Sequence, residues 1–94
     1  MTDKDAYVQK MKAKLDEWNA EIDKLKAKAD QAKAESRVEY QKQIQNLQEK
    51  RLDAEKKLAA VRQAGEGAWD DLKSGVQGAW DAMEAAVKSA RSRF

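Results

Sequence analysis

The side chains best suited to catalysis in this sequence are neighbouring carboxylates, and their spacing argues against a joint role. Asp16 is adjacent to Glu17, and Asp70 is adjacent to Asp71. Adjacent residues on a helix point in different directions, so neither pair brings two carboxylates together for acid–base work. Histidine and cysteine are absent, which removes imidazole catalysis, thiolate chemistry and the usual zinc ligands. We therefore expect no enzyme activity, no catalytic residues, no metal site and no cofactor.

Basic residues recur at alternate positions in two stretches of the first third, residues 10–14 and 24–28. Alternate residues lie on different faces of a helix, and acidic residues are interspersed along the same segment, so these lysines form no continuous basic surface. The whole chain has 19 basic and 17 acidic residues, a net charge of +2. That balance is unsuited to binding a polyanion, and we expect no nucleic-acid partner. Gly75 and Gly78 do not follow a strand, so they predict no phosphate-binding loop.

Composition indicates that any interaction surface is carried by helices. Proline is absent from the 94 residues, glycine occurs four times, and 38% of the residues are charged against 41% hydrophobic. This composition is typical of long helices and coiled coils rather than of sheets. We predict an all-α chain that forms a single helical domain over residues 1–94. The first residues contain acids in place of a basic region, and no apolar run follows, so we expect a cytoplasmic location.

The carboxy-terminal third contains two consecutive copies of an eleven-residue sequence repeat, AWDDLKSGVQG and then AWDAMEAAVKS. On an amphipathic helix predicted over 68–92, this period aligns the apolar side chains into one stripe. Two indoles are costly to leave in water, so other helices, a larger protein or a lipid surface must cover the stripe. The members of this stripe, called the tryptophan stripe below, are Trp69, Leu72, Val76, Trp80, Met83, Val87 and Phe94.

An earlier set of apolar residues follows the spacing of a heptad seam. The seam begins after Thr2 and Asp5, whose spacing is that of a capping box at the start of a helix. We predict one long helix over 3–64, followed by a turn at 65–67 where two glycines flank Glu66. The residues expected to mediate helix association along this seam are Val8, Met11, Leu15, Trp18, Ile22, Leu25, Ile44, Leu47, Leu58 and Val61.

The seam is interrupted between residues 34 and 40, and two interpretations remain open there. In the first, the long helix continues with a stutter and pairs with the shorter antiparallel helix as a helical hairpin or coiled coil. In the second, Ser36 and Glu39 have capping-box spacing and begin a new helix, which gives a three-helix bundle with a turn near Ser36. No Gly, Pro or Asn supports a turn at this point. We therefore favour the continuous helix.

These patterns predict a structural or adaptor coiled-coil protein that acts through protein-protein interaction between helices. In the favoured arrangement the tryptophan stripe folds back on residues 40–61. A hairpin of that kind leaves Leu15, Trp18 and Ile22 uncovered, so we expect a homo-oligomer. Two alternatives remain: an amphipathic helix that binds a lipid or membrane surface through the stripe, and a small accessory subunit that docks its tryptophan helix on a larger protein.

Three segments carry a resemblance to known proteins: KDAYVQKMKAKLDEWNAEIDKLKAKA near the start, RVEYQKQI in the middle, and AWDDLKSGVQGAWDAMEAAVKSARSRF at the end. The likeness extends over nearly the whole chain, which resembles a family of small bacterial coiled-coil proteins. Members of that family are often described as stress-response or hypothetical proteins. The resemblance implies a bacterial helical protein with a role in the stress response, and it supplies no catalytic residues.

Overall fold

A computed structural model describes residues 2–65 and 67–93, and within these ranges the chain forms three α-helices and no strand. Helix α1 spans Asp3–Gln31, α2 spans Ala34–Gln63 and α3 spans Trp69–Arg93. The prediction of an all-α chain is confirmed. Helix α2 runs antiparallel to the other two, since its last turn contacts the start of α1 through Lys4. The three helices lie side by side in a bundle measuring 51 × 20 × 19 Å.

The uninterrupted helix predicted over 3–64 is not present, and the three-helix alternative is the arrangement the chain adopts. The backbone leaves the helical conformation at Ala32 and Lys33, which both adopt extended dihedral angles with ψ of 155° and 153°. This break lets α1 fold back along α2 and α3 and bury its own seam. A 62-residue helix would have left that seam in water, so burial outweighs the local preference for helix.

The turn between α1 and α2 uses backbone contacts in place of the expected side-chain cap. Helix α2 begins ahead of Ser36, and Lys33 at its start makes no side-chain capping bond. The amide groups of Ser36 and Arg37 both donate to the carbonyl oxygen of Lys33. The Arg37 guanidinium donates to the Asp30 carbonyl oxygen at 3.4 Å, near the open end of α1. The predicted capping box of Ser36 with Glu39 is therefore wrong, although a turn does lie close to it.

The outer ends of α1 and α2 stabilise each other. The predicted capping box at the start of α1 is confirmed: the Asp5 amide donates to the Thr2 hydroxyl at 3.2 Å, and the Thr2 amide donates to the Asp5 carboxylate at 3.4 Å. The Lys4 ammonium donates to the carbonyl oxygens of Arg62 and Ala64 at 3.3 and 2.9 Å. A cation at the carboxyl end of α2 interacts favourably with the helix dipole. It also donates hydrogen bonds to carbonyl oxygens that have no partner within the helix.

The chain reverses a second time between α2 and α3. Helix α2 ends at Gln63 and α3 begins at Trp69, compared with a predicted turn at 65–67 and a predicted helix over 68–92. Glu66 lies outside the described residues. None of the described glycines has a positive φ angle, so Gly65 and Gly67 do not adopt the left-handed conformation that glycine allows. The Ala68 and Trp69 amides donate to the Gly65 carbonyl oxygen, and these bonds lead into α3.

A single apolar core runs the length of the bundle, and no polar or charged residue is buried within the described part of the chain. Each helix therefore contributes one apolar face and keeps its charges outside. The buried residues are Met11, Leu15, Trp18, Ile22, Leu25 and Ala29 of α1, Leu47, Ala54, Leu58 and Val61 of α2, and Trp69, Val76, Ala79, Trp80, Met83, Ala86, Val87 and Ala90 of α3.

Candidate interaction surfaces

The tryptophan stripe faces the protein's own helices. Trp69, Val76, Met83 and Val87 are buried, and Trp80 is only 3% exposed. Leu72 differs from the others, because 39% of its surface is exposed beside the start of α3. Phe94 lies outside the described residues. The roles predicted for this stripe toward a larger protein or a lipid surface stay predictions, and in this arrangement either role requires α3 to separate from the bundle.

Two aromatic pairs join α3 to α1. The Trp18 and Trp80 rings are tilted, with centroids 5.3 Å apart, and the Tyr7 and Trp69 rings lie 5.8 Å apart. Tyr7 precedes Trp18 by eleven residues, as Trp69 precedes Trp80. The eleven-residue spacing is therefore matched across two parallel helices, and each aromatic pair adds about 0.5–1.5 kcal/mol beyond the area it buries. Sequence reasoning missed Tyr7, although its spacing from Trp18 was a usable signal.

A lysine of α3 lies over the rings of the Tyr7–Trp69 pair. The Lys73 ammonium lies 4.3 Å from the centroid of the Trp69 ring and 5.6 Å from that of Tyr7. The same ammonium pairs with the Asp70 carboxylate at 3.1 Å. A cation over the face of an aromatic ring near the protein surface contributes about 0.5–1 kcal/mol. Lys73 therefore covers the Trp69 ring at its solvent side while its charge stays in water.

The association seam predicted from the heptads is also covered from within the chain. Eight of its ten members are buried, and Val8 and Ile44 are half-buried and pack against the core. We expected a homo-oligomer because a two-helix hairpin would leave Trp18 and its neighbours exposed. The break at Ala32 and Lys33 changes this, because α1 returns as a third helix and these residues are buried. The homo-oligomer stays a prediction and needs a different surface.

An ion pair spans the groove between α1 and α3. The Arg91 guanidinium donates from Nε to one carboxylate oxygen of Glu21 at 3.3 Å, and from one terminal nitrogen to the other oxygen. The hydrogen bond from Arg91 is the main reason that the pKa of Glu21 lies below its ordinary value of 4.5, and nearby Lys24 and Lys28 act in the same direction. The same bond raises the pKa of Arg91. The pair therefore holds both groups charged at neutral pH.

We expect Glu21→Gln to lower the melting temperature at pH 7, by less than a core substitution does. Because the pKa of Glu21 is lowered in the folded protein, its contribution is complete above the unfolded pKa and disappears as pH falls through the folded one. The difference between wild type and variant should therefore shrink on acidification, measured by thermal melts from neutral to acid pH. Glu17→Gln is the control, since the ion pair that Glu17 makes among the described residues is with Lys14 on its own helix. A difference that stays constant with pH would contradict this role.

The outward face of α2 carries apolar side chains that sequence reasoning did not select. Val38 and Leu52 are 53% and 49% exposed, and both lie on the side of α2 opposite the core. Gln45 stands midway between them, seven residues from each, so the three align along one line of the helix. They were missed because the seam pattern directs attention to the buried face. Their heptad spacing was the signal that could have found them.

A hydrogen bond between side chains joins Arg51 of α2 to Asn19 of α1. The Arg51 guanidinium donates to the Asn19 side-chain oxygen at 3.0 Å and to the Glu55 carboxylate at 3.3 Å. The Arg51 side chain is 26% exposed, and within the described part of the chain its Nε is buried without a hydrogen-bond partner. The Arg51–Asn19 bond fixes the register of α1 against α2 at the middle of the bundle.

The described residues contain no group of three or more His, Cys, Asp or Glu side chains placed to hold a metal ion. Within residues 2–65 and 67–93, no helix combines the length and apolar character required to cross a bilayer. No family model, curated protein or solved structure matches the chain. The resemblance to small bacterial coiled-coil proteins stays a prediction.

Proposed function

We propose that this protein is a non-enzymatic association module that joins a second copy of itself through the outward face of α2. The observation that carries the proposal is the pair of half-exposed apolar residues, Val38 and Leu52, on the face opposite the core. Monomeric proteins do expose single apolar residues. Here the two residues are related by two heptads, which is the spacing at which one helix meets another along a seam.

An antiparallel pairing about Gln45 makes this face complementary to itself. A two-fold axis beside Gln45 sets Val38 of one copy against Leu52 of the second copy, because both are seven residues from Gln45. Lys42 and Glu49 lie on the same flank of the face at nearly equal distances from the axis. The pairing therefore sets Lys42 beside Glu49 of the second copy on each side, and opposite charges at such flanking positions select partner and direction.

The other flank supports the same alignment. Arg37 and Glu55 are on this second flank, eight and ten residues from Gln45 in opposite directions. The antiparallel pairing brings them to similar heights, where Arg37 of one copy approaches Glu55 of the other. Between them, Gln41 faces Gln48 of the second copy, and the two amides match in donors and acceptors. Two charged pairs and one amide pair thus favour a single register.

The size of this contact indicates the kind of association. One helix from each copy forms an interface at the low end of specific protein interfaces, below about 1,200 Å² in total. Contacts of that size are weak and reversible, with dissociation constants on the order of micromolar to millimolar. The assembly is therefore sensitive to protein concentration, and it leaves each bundle folded when it separates. Such behaviour suits an adaptor whose copies associate only where their local concentration is high.

We expect Gln45→Cys to form a disulfide-linked dimer under mild oxidation, because the two-fold axis brings the two cysteines face to face. The chain contains no cysteine of its own, so oxidation joins only the introduced residues. Ser74→Cys, at an exposed position on α3, is the matched control and should remain mostly unlinked. The measurement is the dimer fraction on a non-reducing gel. Equal linkage of both variants would contradict the antiparallel contact.

A charge exchange provides a second readout of the same contact. Lys42→Glu and Glu49→Lys should each weaken association, since each sets like charges beside each other at the axis. In the double variant, position 42 carries the acid and position 49 the base, so opposite charges again lie beside each other. The double variant should therefore associate like the wild type. Sedimentation equilibrium measures the dissociation constants. Additive weakening in the double variant would overturn the proposed register.

A further inference from the structure

The groove between α1 and α3 is filled unevenly along the bundle. The backbones of α1 and α3 remain farther apart than those of the other two helix pairs. Aromatic rings span the gap toward the start of both helices, where Trp18 meets Trp80 and Tyr7 meets Trp69. Large rings are needed to fill a gap of this width at the density of a protein interior.

Beyond Trp80, the side chains of α3 become too small to fill the same gap. Its buried face carries Ala86, Val87 and Ala90 in this stretch. A cavity of about 190 Å³ opens there, against Leu25 of α1 and the fully buried Leu47 of α2. Four of the residues that line it are apolar, Leu25, Leu47, Val87 and Ala90, and all four are buried side chains of the core.

The mouth of this cavity is charged and predominantly basic. Lys24 and Lys28 lie one turn apart on α1 at the rim, together with Arg91 of α3 and Glu21. Arg91 and Glu21 neutralise each other through their paired hydrogen bonds. The two lysines form no ion pair with any residue in the described part of the chain. The rim therefore offers two positive charges above an apolar interior.

We propose that this cavity binds a single-chain anionic amphiphile, with its alkyl tail between Leu25, Leu47 and Ala90 and its carboxylate at Lys24 and Lys28. An apolar protein cavity of about 150 Å³ accommodates benzene, so about 190 Å³ suits a tail of about six to eight carbons. The tail removes apolar surface from water, and the ammonium groups attract the headgroup without leaving solvent. The site meets α2 only at the buried Leu47, on the opposite side of that helix from Val38 and Leu52, so it is separate from the α2 contact proposed above.

The neighbouring part of the groove supplies a reporter for binding. A second opening on the other side of the Glu21–Arg91 pair shares Val87 with the cavity and is lined by Trp18. A tail that packs against Val87 therefore changes the surroundings of Trp18 or of the ion pair beside it. Tryptophan fluorescence and the methyl NMR signals of Leu25, Leu47 and Val87 are expected to report occupancy.

The experiment is a titration of the full chain with sodium octanoate below its micelle concentration, followed by fluorescence, methyl NMR and calorimetry. We expect saturable binding with a dissociation constant on the order of 1 mM, since a ligand of this size buries only a short tail. Acetate carries the same headgroup without the tail and should not bind. Acetate binding as tight as that of octanoate would overturn the proposal, because the cavity would then contribute nothing.

Two variants separate the tail site from the headgroup site. Lys24→Gln with Lys28→Gln should weaken octanoate binding about five-fold, as two exposed charge contacts are lost, and leave binding of uncharged octanol unchanged. Lys10→Gln with Lys26→Gln is the matched control on the same helix, because neither residue lines the cavity. Equal weakening by both double variants would contradict a headgroup site at the rim.

Filling the cavity tests the tail site directly. Ala90→Leu adds apolar volume at the cavity wall and should abolish binding of both octanoate and octanol, with circular dichroism confirming that the helices are retained. Anionic phosphatidylglycerol vesicles distinguish a free amphiphile from a bilayer: we expect no cosedimentation of the protein with them. Binding to vesicles without binding to octanoate would overturn the proposal. Unchanged octanoate binding by a folded Ala90→Leu variant would overturn it as well.

Discussion

Replacing Trp80 with alanine is expected to lower the free energy of unfolding by about 3–5 kcal/mol. Trp80 is 3% exposed and contacts Trp18 across the groove, so its removal leaves a large cavity and also removes the contact between the two rings. Small domains have about 5–15 kcal/mol of stability in total, and 1 kcal/mol shifts the melting temperature of a domain this size by about 4–8 °C. We expect a fall of at least about 12 °C, measured by circular dichroism.

The matched control for that prediction lies on the same helix. Leu72→Ala removes an apolar side chain of the same stripe that is 39% exposed, and we expect a loss of about 1 kcal/mol or less. The comparison separates burial from helix propensity, because alanine favours helix at both positions. Similar losses for the two variants would show that Trp80 is not covered by the bundle.

Leu47→Asp is expected to prevent folding, whereas Leu52→Asp is expected to leave the bundle intact. The two leucines are on the same helix, but Leu47 has no exposed surface and Leu52 is 49% exposed. A carboxylate at position 47 loses the leucine packing and must be desolvated without a partner, which costs about 5 kcal/mol or more. That cost is comparable with the whole stability of a small domain.

The same two variants also separate the folding role of α2 from its association role. Leu52→Asp should retain its helical circular dichroism spectrum but sediment as a monomer, since two carboxylates would face the apolar residues of the second copy. Leu47→Asp should lose helix signal and give red-shifted tryptophan emission. If Leu52→Asp unfolded the protein as fully as Leu47→Asp, the assignment of inner and outer faces of α2 would be wrong.

The sequence patterns predicted the buried faces well and the path of the chain less well. The heptad seam and the eleven-residue repeat selected side chains such as Trp18, Leu47 and Met83 that do lie in the core. A turn near Ser36 was the less favoured of two interpretations, because neither Ala32 nor Lys33, where the reversal lies, breaks a helix by its own propensity. Its cause is the gain from burying α1, and a gain of that kind depends on contacts between residues far apart in the sequence.

The candidate sites differ in how far the sequence could have found them. Val38 and Leu52 have a heptad spacing that was visible in the sequence, but the stronger inner seam obscured it. The pairing of Tyr7 with Trp69 could be expected once α1 and α3 were known to run parallel. The cavity above Leu47 could not be expected, because it depends on the distance between two helices rather than on any residue pattern. The register of α1 and α3 had to be known first.

The central claim is that each chain covers its own tryptophan stripe, so that association uses a separate surface on α2. The most direct test is to dilute the protein while measuring sedimentation, helical circular dichroism and tryptophan emission in parallel. We predict that the mass falls to that of a monomer while the helix signal and the blue-shifted emission stay constant. A loss of helix signal and a red shift that follow the fall in mass would contradict the claim, because the stripe would then depend on another chain for its cover.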